Sequence, residues 1–255
     1  MNLPKKFSKE SRRIHRQKIR KAHEEYLQEN GLEGRFGEVW VWSCIDAAYK
    51  YILPDVIGSR SRRFGSELFE KIIGMRSNPD DDLLFQTDGY DVYQGLIAEY
   101  FASEILNYRN NHYNDKIPKT YTIPEHILYT MLTKKRNDHG EIESVEGTVI
   151  FGAEDRILNV LKDHNPKQGI NTSYIERQNL SKRHFNARLR RKTIAYSKEY
   201  DCLVSQLHLH RMYQNFCWSH HTLRKQYGID TSPAMAIGAT DHIWQFHEIF
   251  RVPIY

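Results

Sequence analysis

The chain has no uninterrupted apolar run near the roughly 20 residues that a membrane-spanning helix needs, so a helical membrane protein is not expected. Cysteine is scarce. Cys44, Cys202 and Cys217 are odd in number and far apart, and form neither a disulfide framework nor a CxxC metal knuckle. They are read as reduced and buried. No internal repeat and no low-complexity tract is present, which excludes solenoids and linker-like chains. The opening stretch, MNLPKKFSKESRRIHRQKIRK, lacks the apolar core of a secretory signal, so the cytoplasm is the expected compartment.

What is present suits a folded protein. The 255 residues can bury one good core with appendages, or two modest domains. Hydrophobic residues make up 40% and charged residues 27%, values of globular proteins rather than disordered ones. The net charge is +5, from 37 basic and 32 acidic residues. The basic residues concentrate in residues 1–21 and in the segment from Lys182 to Lys192. Two readings fit that clustering. It is the electrostatic footprint of a polyanion binder, and it equally suits a solvated arm and a charged face.

Residues up to about Gly34 read as a basic arm, helical in part. EVWVWSCID and YKYILPDVIG are aromatic and β-branched runs that predict two adjacent strands. SELFEKIIGM predicts a helix with Leu68, Ile72 and Met75 on one side. LLFQTD predicts a buried strand ending at Asp88. The next run predicts a helix through Tyr93, Leu96, Ile97, Tyr100, Phe101 and Ile105. HILYTMLTKKR and EIESVEGTVIFG flank Asn137-Asp138-His139-Gly140, a hairpin signal, and AEDRILNVLKD predicts a short helix. A helix around Glu176 and a long one over KEYDCLVSQLHLHRMYQNF follow, then short helices in the tail. The expected class is α/β (α+β) with a mixed sheet. Ligand sites in such sheets lie beyond the carboxyl ends of strands, where Asp46 and Asp88 are placed.

An aspartate at a strand end is commonly a turn former or helix cap, and taken singly Asp46 and Asp88 are read that way. Glu176 is less ordinary. It is followed by Arg177, Lys182, Arg183, Arg188, Arg190, Arg191 and Lys192 with no further acid, whereas a salt-bridged surface helix intersperses both signs. At about 100° per residue, Glu176, Asn179, Arg183, Asn186 and Arg190 share one polar stripe. Tyr174, Phe185 and Leu189 fall on another arc and are expected to face the core. Such a stripe can offer one carboxylate to a metal while its neighbours hold a phosphate backbone. Three carboxylates suit hard divalent cations. Two ions about 3.5–4 Å apart can activate the attacking oxygen and stabilise the leaving one in phosphoryl transfer.

These segments resemble the DDE transposases of insertion sequences, in the group whose core ends in an NTSYIER-type helix. WVWSCIDAAYKYILPDVIG is similar to the family's first aspartate strand, and FQTDGYDVY to its second. VEGTVIFG, INTSYIERQNLSKRHFNARLRRKTIAYSK, NFCWSHHTLR and SPAMAIGATDHIW resemble later landmarks, covering about Phe36 to Trp244. The resemblance implies a ribonuclease H-like mixed sheet flanked by helices (residues 36–200, with a variable insertion at about 113–152). A basic arm (1–35) precedes it and a helical C-terminal extension (201–255) follows. It implies Asp46, Asp88 and Glu176 as catalytic and metal-binding triad, holding two Mg²⁺ (or Mn²⁺) ions. It further implies release of a transposon 3′ end and attack of that end on a target phosphodiester. DNA contacts are expected from Asn179, Arg183, Arg190, Arg191 and Lys192; those of Arg183 and Arg190 rest on helical phase.

The implied partners are transposon ends and target DNA, and pairing two ends implies at least a homodimer on the nucleoid. Relatives usually carry an N-terminal zinc-binding or helix-turn-helix module, and only a basic arm stands here. That departure admits a partner reading frame supplying the module, or a truncated, inactive, transposase-derived DNA-binding protein. A general nuclease or ribonuclease H would share the metal chemistry without end specificity. His208 and His210, two apart on a helix, point in different directions and are not expected to bind zinc, while His220 and His221 suit a DNA-proximal loop. Trp40, Trp42 and Trp244 are read as core or docking residues, and Cys44 as a small inward hydrophobe.

Overall fold

The computed structural model describes residues 40–105, 120–139, 141–164, 169–190, 197 and 199–251. The basic arm, residues 113–119 of the expected insertion, Gly140, and the DNA-binding candidates Arg191 and Lys192 lie outside the described residues. What is described is a mixed α/β fold, with seven α-helices and a three-stranded mixed sheet at its centre.

That sheet forms from the most apolar short runs. β3 (Leu83–Asp88) pairs in parallel with β6 (Ile127–Arg136), from Leu83 opposite Ile127 to Asp88 opposite Leu132. β7 (Ile142–Phe151) returns antiparallel along β6, through the hairpin that Asn137-Asp138 predicts. Alternation sends the side chains of β6 both ways. Ile127 and Tyr129 enter one core with Phe85, while Leu128 enters another with Ile157 and Leu161. Helices α1 (Arg62–Gly74) and α2 (Val92–Phe101) therefore cover one face, and α3 (Glu154–His164) the other. The crossover from β3 to β6 also contains a small antiparallel pair, β4 (Ser103–Ile105) with β5 (Thr120–Thr122).

The first two strands are shorter than the sequence suggests. β1 (Trp40–Trp42) and β2 (Val56–Gly58) pair antiparallel over three residues each, followed by one isolated bridge between Ile45 and Ile52. Among the described residues they form their own two-stranded ladder and do not join β3 in one continuous sheet. Asp46 begins a turn and Lys50 sits at φ 58, a left-handed conformation that a strand cannot contain. The aromatic run is thus consumed in packing. Trp42 is buried against Tyr90 and Tyr93, with ring centroids 6.0 and 5.9 Å away.

Other expectations shift at element ends. Leu68 and Ile72 are buried as expected, but Met75 caps α1 and is 48% exposed. Ile105 belongs to β4, because the helix stops at Phe101 when Ala102 turns extended. The helix around Glu176, α4 (Ser173–Phe185), ends at Asn186, and a 3₁₀ turn over Ala187–Leu189 replaces its continuation. Beyond it, α5 (Tyr200–Met212) buries Leu203 and Leu207 against Ile57, on the face of β2 opposite Val56. The long helix expected here widens to a π turn over Tyr213–Cys217. The widening accompanies an inward Asn215, whose amide donates to the Ile52 carbonyl and accepts from the Ile52 N–H, both at 2.9 Å. A side chain thereby completes the ladder beside Asp46, 163 residues away in sequence. Helices α6 (His221–Tyr227) and α7 (Pro233–Ala236) follow, so His221 opens a helix rather than a loop.

Candidate functional site

Each candidate acid has an identifiable local job. Asp46 Oδ1 accepts the N–H groups of Ala48 and Tyr49, at 2.8 and 3.0 Å, and organises the turn after β1. Asp88 Oδ1 accepts the Tyr90 N–H at 3.3 Å, at the end of β3 just before α2. Both aspartates are therefore turn formers, and each keeps Oδ2 without a hydrogen-bond donor among the described residues. Glu176 stands in the first turn of α4, where its Oε1 accepts from Thr172 Oγ1 at 2.7 Å and from the Lys134 ammonium.

The sheet register relates two of the three. Lys134 lies two residues along β6 past Leu132, the partner of Asp88, so it projects from the same face just beyond the end of β3. By binding Glu176, Lys134 ties α4 to β6 two residues past the partner of Asp88. Asp46 is linked by electrostatics. The Tyr93 hydroxyl is pushed up by burial first, then by Asp88 and Cys44. Cys44 is in turn pushed up to about 12 by burial and then by Asp46. Asp46 also acts on buried Lys50, whose Nζ lies 3.8 Å over the Tyr174 ring, two residues before Glu176. Intervening side chains link the three acids, and among the described residues they are not grouped around one point.

Their donor chemistry suits a hard divalent cation, since each carboxylate keeps one uncommitted oxygen. Their arrangement is open. Among the described residues no three His, Cys, Asp or Glu side chains are grouped to hold an ion. Around Glu176 and Asp46, lysine ammoniums provide the positive charge instead.

Hydrogen bonding to Lys134 holds the Glu176 carboxyl below the usual glutamate range, helped by Thr172 and opposed by partial burial. A lowered folded pKa means that the pair stabilises the fold above the ordinary glutamate value of 4.5, and that this stabilisation fades as pH falls through the lowered one. Glu176 is 53% exposed, so the contribution is below about 1 kcal/mol. In Lys134→Ala, the Glu176 carboxyl is expected to titrate at higher pH by carbon-detected NMR, with global stability nearly unchanged. An unmoved titration would remove Lys134 from its role.

The basic crowd after Glu176 divides in two. Lys182 does not face solvent: its ammonium donates to the Asp55 carboxylate and, at 2.8 Å, to Ser43 Oγ. Ser43 in turn donates to Asp55 Oδ1 at 2.7 Å, and the Lys182 and Asp55 side chains are each 2% exposed. Burial pulls the Lys182 pKa down while Asp55 pushes it back up. This cluster joins α4 to the β1–β2 connection, and the sequence reading did not find it. Asp55 inside the apolar run YILPDVIG was the available signal.

The polar stripe is correspondingly shorter than helical phase predicts. Asn179 and Arg183 are half-buried on α4, Asn186 is buried at its end, and Arg190 is exposed beyond the 3₁₀ turn. Phe185, expected in the core, is 61% exposed because it ends the helix, edge-on to His184. Leu189 does pack inward, against the Ile57 cluster. His210 is spent on the interior, 3.4 Å from the Gln178 amide, and burial lowers its pKa. Trp42 is core, Trp40 is exposed, and Trp244 packs at a tilt against Phe216, with ring centroids 4.3 Å apart. Cys44, Cys202 and Cys217 are free and partly buried. No helix among the described residues is long and apolar enough to cross a membrane. Compared with models of known families, with curated proteins and with solved structures, the chain has no match, so its reading stands on these residues alone.

Proposed function

We propose that the chain is the catalytic core of a DNA strand-transfer enzyme of the insertion-sequence DDE transposase kind, on a ribonuclease H-like framework. The observation that supports this reading is the ion pair of Glu176 with Lys134, which lies two residues along β6 past the partner of Asp88. Asp46, Asp88 and Glu176 would hold Mg²⁺ or Mn²⁺, which when bound supplies charge neutralisation at phosphate and an activated oxygen nucleophile. The chain's own part would be to bring these three carboxylates to one metal site. A divalent cation bound at Glu176 would have to displace the Lys134 ammonium that pairs with it. Half-buried Arg183 and exposed Arg190 follow Glu176 toward solvent, where a phosphate backbone has access to them. Two DNA ends would require two copies of the chain, and binding of polyanionic DNA would bring the protein to the nucleoid.

A second reading has its own support. The ungrouped acids and the occupied Glu176 favour a DNA-binding protein derived from such an enzyme, without the chemistry. One experiment separates the two. Supercoiled DNA carrying the sequences from either side of the coding region is incubated with the full chain and Mg²⁺ or Mn²⁺. Nicked 3′ ends and joined products are expected for the enzyme. Salt-sensitive binding without any strand breakage under either metal supports the second reading and rejects the first.

A further inference from the structure

Arg60 lies in SRSRR, between β2 and α1, in no stretch that the charge pattern singles out. Its guanidinium carbon is 4.0 Å from the centre of the Tyr90 ring and 4.8 Å from that of Trp40. The Tyr90 hydroxyl returns a hydrogen bond to the Arg60 carbonyl at 2.9 Å, which ties ring and backbone into one unit. The preceding residue is anchored too: Trp42 Nε1 donates to the Ser59 carbonyl at 3.0 Å. A flexible side chain is thus held by stacking on both aromatic neighbours. Yet among the described residues no carboxylate or other acceptor bonds its N–H groups, and Arg60 is exposed. Arg62, two residues on, differs, since Glu99 neutralises it. A guanidinium held this way has its donor edge free and oriented, the arrangement that recognises phosphate oxygens.

The position matters as much as the geometry. Tyr90 is the residue whose N–H binds Asp88, so the stacked cation sits beside the end of β3. The Tyr93 hydroxyl responds to Asp88 and, in the opposite sense, to Arg60. Helix α1 starts at Arg62 with no acid in its first turn, and the side chain of its N-cap Ser61 does not cap it, so the local field stays positive.

We propose that the Trp40–Arg60–Tyr90 stack is a phosphate seat that positions a DNA strand at Asp88. The inference rests on the strand-transfer reading for the identity of the polyanion. A planar, edge-on donor set fits a backbone phosphodiester, and the exposed face of Trp40, 48% open, is available to an adjoining base.

The test is equilibrium binding of a short fluorescent DNA duplex by the full-length chain, with EDTA present to prevent cleavage, over a range of salt concentrations. Arg60→Met is expected to weaken binding about tenfold and to reduce the salt slope by about one phosphate contact. Arg60→Lys keeps the charge but not the fork. It is expected to weaken binding severalfold with the slope retained, and it covers the case in which Arg60→Met folds poorly. Binding and slope equal to the parent in Arg60→Met, or parental affinity in Arg60→Lys, overturns the seat. Absence of DNA binding by the parent chain at any salt removes the strand-transfer reading itself, a different failure.

Discussion

Asp88→Asn is expected to lower metal-dependent DNA cleavage at least about a thousandfold while leaving the protein folded. The substitution changes little except charge. Asn keeps the Oδ1 acceptor that receives the Tyr90 N–H, so the turn between β3 and α2 retains its bond. Asp88 is exposed and makes no ion pair among the described residues, so its loss disturbs no packing. What disappears is an anionic oxygen at the carboxyl end of β3. A neutral amide oxygen there binds a divalent cation far less well. The measurement is cleavage and joining of end-bearing DNA by variant and parent at matched Mn²⁺, alongside thermal melting. Similar rates in the two proteins would show that Asp88 is only a turn former. A large fall in melting temperature would instead show that the turn depends on the charge.

Whether a residue was legible in the sequence depended on how far away its partner lies. β3 could be read to the residue because an apolar run, a TDG turn and a following helix are all local signals. The β6–β7 hairpin, α3 and the Leu68–Ile72 side of α1 were legible for the same reason, period and turn chemistry agreeing over a few residues. Helical phase also placed Glu176, Asn179 and Arg183 together on α4, but it carried the stripe past Asn186, where the helix ends. It could not see that Lys182 turns inward, because its partner Asp55 is 127 residues away. The same holds for Asn215, whose only visible reason lies at Ile52. Arg60 was overlooked because neither neighbouring ring is adjacent to it in sequence. Charge counting treats every arginine as solvated until a fold supplies its surroundings.

The inward turn of Lys182 gives the second large effect, on stability. Lys182→Met is expected to destabilise the protein by about 3–5 kcal/mol, because it strands a carboxylate in the interior rather than because it deletes a favourable contact. Asp55 would keep only the Ser43 hydroxyl as donor, while its Oδ2 already lacks a partner among the described residues. Desolvating an anion with one neutral hydrogen bond is costly. The double change Lys182→Met with Asp55→Leu removes both charges and is expected to recover most of the loss. Urea unfolding of the parent, the single and the double variants measures all three stabilities. A single variant within about 1 kcal/mol of the parent would mean that water reaches the pair, and the buried link between α4 and the β1–β2 connection would have to be abandoned. The link bears on the site as well. Glu176 rides on the helix that Lys182 anchors, and Asp46 on the connection that Asp55 follows. The double variant, folded but without that tie, is therefore expected to cleave DNA more slowly than the parent at equal DNA occupancy.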